Sequence, residues 1–323
     1  MIRRAFLGLS AIAVAGPTAA WGDQPATIGY LSARSPDESK HLLAACLDGL
    51  KSLGYEVGHN LQVEYRWAEG RYDRLPALAV ELAGAKVNVL IATGGEPAAL
   101  AAKAATSTIP IVFAIGGDPV TVGLVASYNR PGGNATGVSL LSITPEKKRL
   151  GLLHQVVPQG VIGVLFNPNY PLQREQIAEV EEAARALGRQ VEIALPSSEA
   201  EFEPAFAGLI AKQAAALLVS ADPFFDTRRQ QIVALAERFK LPAMYQFRDY
   251  ATAGGLMSYG IAIVEGYRQV GIYAGRILRG ASPADLPVQQ SIRFEFVINL
   301  KTAKALGLTI PPIVLATADE VIE

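Results

Sequence analysis

The sequence predicts an α/β protein of two lobes, each a parallel sheet covered by helices. Three observations carry this. A short apolar run, a break of Gly, Pro, Asn or Asp, and an amphipathic helical stretch follow one another repeatedly from Thr27 to Leu278, the alternation that builds parallel sheets. The pattern breaks completely at Tyr128-Asn129-Arg130-Pro131-Gly132-Gly133-Asn134 and then restarts. The chain has 323 residues, more than one hydrophobic core usually serves.

In the first half, strands are expected over 27–31, 61–65, 87–92 and 109–114. Val87, Val89, Leu90 and Ile91 form the nearly continuous apolar run that a strand buried on both faces needs. Helices are expected over 36–53, 74–83 and 97–106, with a looser segment after Pro119. Beyond the break come a strand over 135–141, a helix over 145–157, a strand over 161–166 and a helix over 173–187. The unit continues with strand 190–195, helix 199–212, strand 215–220, helix 227–239 and strands near 243–247 and 256–259. A helix over 263–278, closed by Arg279-Gly280, an extended stretch over 288–299 and a short helix over 301–306 finish the chain. These last segments are too few for a third domain, so the chain is expected to return to the first sheet and cross again. The first lobe then holds 23–138 with 260–285, and the second 139–259 with 286–323.

The first residues read as an export signal. Arg3 and Arg4 precede an apolar run over 5–16 and a small-residue stretch ending Ala19-Ala20-Trp21-Gly22, the order of a secretory leader. A membrane anchor needs roughly 20 apolar residues, and this run is nearer a dozen. Cleavage after Gly22 leaves a mature chain starting at Asp23, with cleavage after Ala20 as the alternative, and Arg3-Arg4-Ala5-Phe6-Leu7 keeps the twin-arginine route open beside the general one. Removing 1–22, with two arginines and no acid, takes the formal charge from −1 to −3. A mildly acidic chain without a basic block is a poor nucleic-acid binder, and no later stretch is apolar enough to enter a membrane. The one cysteine, Cys46, reads as a buried helix residue.

A search for catalytic chemistry is nearly empty. No G-x-S-x-G, G-x-x-x-x-G-K-[ST], H-E-x-x-H or G-x-G-x-x-G is present. His41, His59 and His154 have no second ligand at metal spacing, so no metal, cofactor or enzymatic activity is expected. Distinctive instead are four loops after strands: Thr93-Gly94-Gly95-Glu96-Pro97, Ile115-Gly116-Gly117-Asp118-Pro119, Asn167-Pro168-Asn169-Tyr170-Pro171 and Ser220-Ala221-Asp222-Pro223-Phe224-Phe225. Any one of them reads equally as turn chemistry. All four at strand carboxyl ends, two per half, point to a ligand cleft between lobes. Glycine lets backbone approach a ligand and a helix start attracts an anion. Asp118 and Asp222 offer partners for an ammonium, and Tyr170, Phe224, Tyr245 and Tyr259 offer aromatic walls.

Several stretches closely resemble one family along the whole mature chain: Glu64-Tyr65-Arg66-Trp67-Ala68-Glu69-Gly70-Arg71, Ile109-Pro110-Ile111-Val112-Phe113, Arg130-Pro131-Gly132-Gly133-Asn134-Ala135-Thr136-Gly137, Gly255-Leu256-Met257-Ser258-Tyr259-Gly260 and Phe296-Val297-Ile298-Asn299-Leu300-Lys301-Thr302-Ala303-Lys304. The family is that of ABC-transporter substrate-binding proteins which includes tryptophan- and tyrosine-binding receptors. The resemblance implies two Rossmann-like lobes with parallel sheets joined by a three-crossover hinge, the type I periplasmic-binding-protein fold. It implies ligand-binding roles for Ser32, Gly94, Gly95, Asp118, Asn167, Asp222 and Ser258. Glu96 stands where such sequences often carry a small hydroxyl residue, and an acid there works against anion binding.

The expected function is that of a periplasmic solute receptor handing a small zwitterion, an amino acid or analogue with an aromatic or branched side chain, to a membrane permease. A sensor presenting its closed form to a receptor kinase or chemoreceptor uses the same fold. A secreted α/β enzyme needs a base and nucleophile that are not apparent. A DNA-binding regulator needs a basic helix-turn-helix where this chain has its leader.

Overall fold

The computed structural model describes residues 25–140 and 146–323; the expected leader, residue 141 of the strand expected over 135–141 and the start of the helix expected over 145–157 lie outside them. Along the first lobe come β1 (Ala26–Ser32), α1 (Lys40–Lys51), β2 (Leu61–Trp67), α2 (Leu75–Gly84), β3 (Val89–Thr93), α3 (Glu96–Ala105), β4 (Ile111–Ile115) and β5 (Ala135–Ser139). The second lobe follows with α4 (Glu146–Val156), β6 (Val161–Leu165), α5 (Gln173–Ala186), β7 (Val191–Ala194), α6 (Phe202–Ala211) and β8 (Ala214–Val219). It continues through α7 (Pro223–Thr227), α8 (Arg229–Arg238), β9 (Ala243–Tyr245), α9 (Arg248–Thr252) and β10 (Met257–Ile261). Helix α10 (Ile263–Leu278) and β11 (Gln289–Gln290) return to the first lobe, before β12 (Phe294–Asn299), α11 (Leu300–Ala305), α12 (Pro312–Leu315) and β13 (Glu320–Ile322) complete the second.

The sheets run β11-β5-β4-β3-β1-β2 and β13-β12-β10-β9-β8-β6-β7. Among the described strands all pairings are parallel except that of β10 with β12. The chain passes between lobes after Ser139, after Ile261 and after Gln290, which is the three-crossover hinge of the type I fold.

The third passage comes later than the boundary expected at 285/286. Val288 is buried in the first lobe's core, and Gln289 and Gln290 pair with Val138 and Ser139, so the stretch expected over 288–299 is two strands in two sheets. Gln289 and Gln290 are exposed and carry no apolar periodicity that could announce the change of sheet. In the same way β5 reaches Ser139 and β10 reaches Ile261, past the expected edges at 138 and 259.

Each sheet is buried on both faces, which explains its apolar strands. Along β3, Val89 and Ile91 enter the core under α1 and α10, while Leu90 and Ala92 enter the core under α2 and α3. Along β8, Ala216 and Leu218 pack toward α4 and α5, and Leu217 and Val219 toward α6 and α8. Each large side chain so buried stabilises the fold by about 1.5–3 kcal/mol. Helices α1 and α10 meet through glycine: a Cβ on Gly271 would lie 1.9 Å from the Cys46 carbonyl oxygen, and one on Gly49 2.1 Å from that of Arg268. Cys46 is fully buried in this seam, and burial pushes its thiol up to about 12, as expected of an inert core cysteine.

Candidate ligand-binding site

Loops after β1, β3, β4 and β5 of the first lobe face loops after β6, β8 and β9 of the second around a cavity of about 20 Å³. That is room for a water molecule, far below the volume of a solute pocket. The lobes therefore touch each other directly, and the contacts are largely polar.

Arg34, two residues past the end of β1, reaches across to Asp226 on α7 with Nη2 2.5 Å from Oδ2. Both residues are buried. Burial works against the Arg34 charge, but the Asp226 carboxylate outweighs it and holds the guanidinium protonated. Tyr72 of the first lobe donates its hydroxyl to Asp222 Oδ2 at 2.9 Å in the second. Tyr170 of the second lobe donates its hydroxyl to Glu96 Oε2 in the first. Outside the cavity, Arg229 pairs with Glu38 at 2.5 Å and His41 lies 3.2 Å from Asp249.

Local sequence positions these groups. Gly95 has φ +87°, a left-handed conformation that glycine adopts freely, and a Cβ there would sit 3.1 Å from Cγ of Pro223 in the other lobe. Asp222 is the N-cap of α7: its Oδ1 accepts from Phe224 N at 2.8 Å and Phe225 N at 3.2 Å, and Pro223 fills the first helical position. Asn167 Nδ2 lies 3.1 Å from Asp222 Oδ1.

Burial pushes the Asp222 carboxyl up to about 7, against the lowering effect of Asn167 and Tyr72. Between the ordinary 3.8 and about 7 the closed protein holds a proton that a solvated Asp222 releases, so closure gains from this group at low pH and loses that gain as pH rises toward 7. Scattering of the solute-free protein should show a larger closed fraction at pH 5 than at pH 8. In Asp222→Asn, which retains a cap, most of that difference should vanish; an undiminished pH dependence in the variant assigns it to another group.

Of the residues expected in the cleft, Gly95, Tyr170 and Asp222 line the cavity. Asn167 supports Asp222 from behind, and Ser32 and Gly94 lie at the ends of β1 and β3, with Ser32 Oγ accepting from Arg34 N at 3.2 Å. The others lie elsewhere. Asp118 is exposed and caps its own turn, its Oδ1 accepting from Val120 N at 2.8 Å. Phe224 stacks on Phe202 in the second lobe's core, its ring held there by the helix that Asp222 starts. Tyr245 is wholly buried and stacks on Tyr250, and Ser258 is buried inside the sheet between β9 and β12. Tyr259 stacks on Phe294 beside β12.

Four important groups were not assigned from sequence. Arg34 follows β1 in Ala33-Arg34-Ser35-Pro36, a strand-end loop with a proline, as in the four loops named above. Asp226 comes four residues after Asp222, one helical turn, but the segment had been expected as a loop rather than α7. Tyr72 and Glu96 do not line the cavity but stand behind it, and each meets the other lobe only because the fold brings Asp222 and Tyr170 to them. Among the described residues no group of three or more His, Cys, Asp or Glu is arranged to hold a metal, and no helix is long and apolar enough to cross a membrane.

A family model described as ABC transporter substrate binding protein matches residues 35–322. A tyrosine-binding protein of Clostridioides difficile (strain R20291) is 29% identical over 268 residues, covering 81% of this chain and 75% of its own. The ABC domain of Streptococcus pneumonia in complex with L-Trp superposes with a TM-score of 0.83 at 27% identity, covering 93% of this chain and all of that one. The ligand-free, open structure of a substrate binding protein with adhesive properties from Clostridium difficile reaches 0.63 at 25% identity, covering 92% of this chain and 99% of that one. The lower score against the open form agrees with the direct contacts between lobes seen here.

Proposed function

We propose, from the premise that this chain belongs to the ABC transporter substrate-binding protein family, that it is the extracytoplasmic receptor of an importer. Its solute is a small zwitterion, an amino acid or close analogue with an aromatic or branched side chain preferred. The observation that carries this reading is the mixed charge of the interlobe cavity, where Arg34 from one lobe meets Asp222 and Asp226 from the other. A buried charge without a partner is costly, so a site holding both signs suits a solute that has both. Tyr170, Phe247 and Tyr267 line the same space and supply aromatic surface in place of Tyr245 and Tyr259. The tyrosine and tryptophan named for the relatives support the same side-chain class.

In this role the lobes part, admit the solute and close on it, and the closed form docks on a membrane permease in the periplasm after the leader is removed. Carrying a solute makes and breaks no covalent bond, and no catalytic residue is assigned. A thermal-shift screen of amino acids, aromatic acids, small amides and sugars against the mature protein tests the reading. An aromatic amino acid at 100 times its dissociation constant should stabilise the protein by about 2.7 kcal/mol. A screen in which a sugar shifts the melting temperature and every amino acid leaves it unchanged overturns the solute class.

A further inference from the structure

The start of α3 is a place where a solute anion would normally be welcome, with free main-chain N–H groups behind a glycine turn. In this chain the place is filled. Glu96 is fully buried; its Oε1 accepts from Gly117 N at 2.6 Å and its Oε2 accepts the Tyr170 hydroxyl. Burial pushes the Glu96 carboxyl up, while the Tyr170 hydroxyl and the main-chain N–H groups of Glu96 itself, Gly117 and Gly116 work against that and favour the carboxylate. A second carboxylate brought by a solute would meet that charge at close range.

Glu96 and Asp222 form a reciprocal arrangement. Each is a buried acid on one lobe, and each is reached by a tyrosine hydroxyl from the other. Their other hydrogen-bond donors are neutral: main-chain N–H groups and Asn167. The Tyr170 ring lines the cavity with Asp222, and its hydroxyl feels both carboxylates. When the lobes part, both acids lose their tyrosine, and a solute with an ammonium supplies the donors and the positive charge that reburial requires.

The positive group of the cavity differs. Arg34 lines it with 7% of its surface exposed, and although its Nη2 is paired with Asp226, its Nε–H has no hydrogen-bond partner. An acceptor on the solute satisfies that donor.

We propose that Glu96 sets the charge polarity of the cleft: the chain's own carboxylate occupies the start of α3, so a solute places its ammonium toward Glu96 and Asp222 and its carboxylate toward Arg34. This rests on the amino-acid reading above and adds to it an orientation and a ranking, in which losing the ammonium costs more affinity than losing the carboxylate.

Calorimetry with three matched probes tests it: L-tyrosine, tyramine, which lacks the carboxylate, and 3-(4-hydroxyphenyl)propionate, which lacks the amine. The unmodified protein should bind the first two and refuse the third. Glu96→Gln, which keeps an acceptor for Gly117 N, should weaken both amines at least tenfold and admit the propionate. Arg34→Lys, which keeps a charge for Asp226 and lacks the free Nε–H, should weaken L-tyrosine at least tenfold more than it weakens tyramine, so the assignment stays testable if the Glu96 variant does not fold. Tyrosine affinity unchanged within twofold in Glu96→Gln overturns the assignment and leaves the amino-acid reading standing. A protein that takes none of the three overturns both.

Discussion

Asp226→Ala is expected to hold the two lobes apart. Arg34 and Asp226 are both buried, 2.5 Å apart, and belong to different lobes. Removing the carboxylate takes away the one charge paired directly with the buried guanidinium, a loss of about 3–5 kcal/mol. In the open form Arg34 returns to water, so the penalty falls on the closed form, and at about 1.4 kcal/mol per factor of ten the open-to-closed ratio should rise by roughly two to three and a half powers of ten. Small-angle scattering of the solute-free protein reads this as a larger radius of gyration. Asp226 also accepts hydrogen bonds from Gln246 and Tyr250 inside the second lobe, so Asp226→Asn, which keeps an acceptor and removes the charge, separates closure from lobe stability. An Asp226→Asn protein as compact as the unmodified one would mean the ion pair does not govern closure.

Glu146→Ala should lower the stability of the second lobe by a similar amount for a different reason. Arg149 is the largest fully buried side chain described, and it pairs with Glu146 one turn earlier on α4, Nη2 to Oε1 at 2.7 Å, while Nη1 donates to the Tyr259 carbonyl at 3.3 Å. Both side chains are wholly inaccessible, so no open state relieves the loss. Breaking such a pair from one side costs about 3–5 kcal/mol, which for a lobe of this size lowers Tm by roughly 10 °C. Replacing both members, Glu146→Leu with Arg149→Met, should recover most of the loss, because an apolar pair of similar volume escapes the desolvation penalty. If the double variant is no more stable than Glu146→Ala, the pair has a structural role beyond charge compensation.

How much of the protein was legible in its sequence depends on the range of the interaction. Strands β3 and β8 were legible because burial on both faces leaves an apolar run within a single stretch of chain. The hinge was only partly legible: Val288 and Phe294 belong to different lobes, yet the polar residues between them carry no sign of the change. Helix α9 and the strand β13 escaped for a related reason, since each is five residues or fewer and is stabilised by neighbours in the sheet rather than by its own periodicity.

The cleft divides along the same line. That it lies among loops at strand carboxyl ends, and that Gly95, Tyr170 and Asp222 belong to it, followed from the sequence alone, because the type of turn residue and its place after a strand are local facts. Which polar residues come together between the lobes was decided only by tertiary structure. Asp118 and Asp222 precede the same residue type, proline, and each bonds the amide two residues on; but Asp118 stays at the surface, while Asp222 is carried under Tyr72 of the opposite lobe and its carboxyl is pushed up by burial. Arg34, Glu96 and Asp226 acquire their roles in the same way, through partners more than 70 residues distant along the chain, Glu96 meeting Tyr170 across 74 positions. Charge compensation and desolvation depend on what the fold brings within a few ångströms, and no local pattern records that distance.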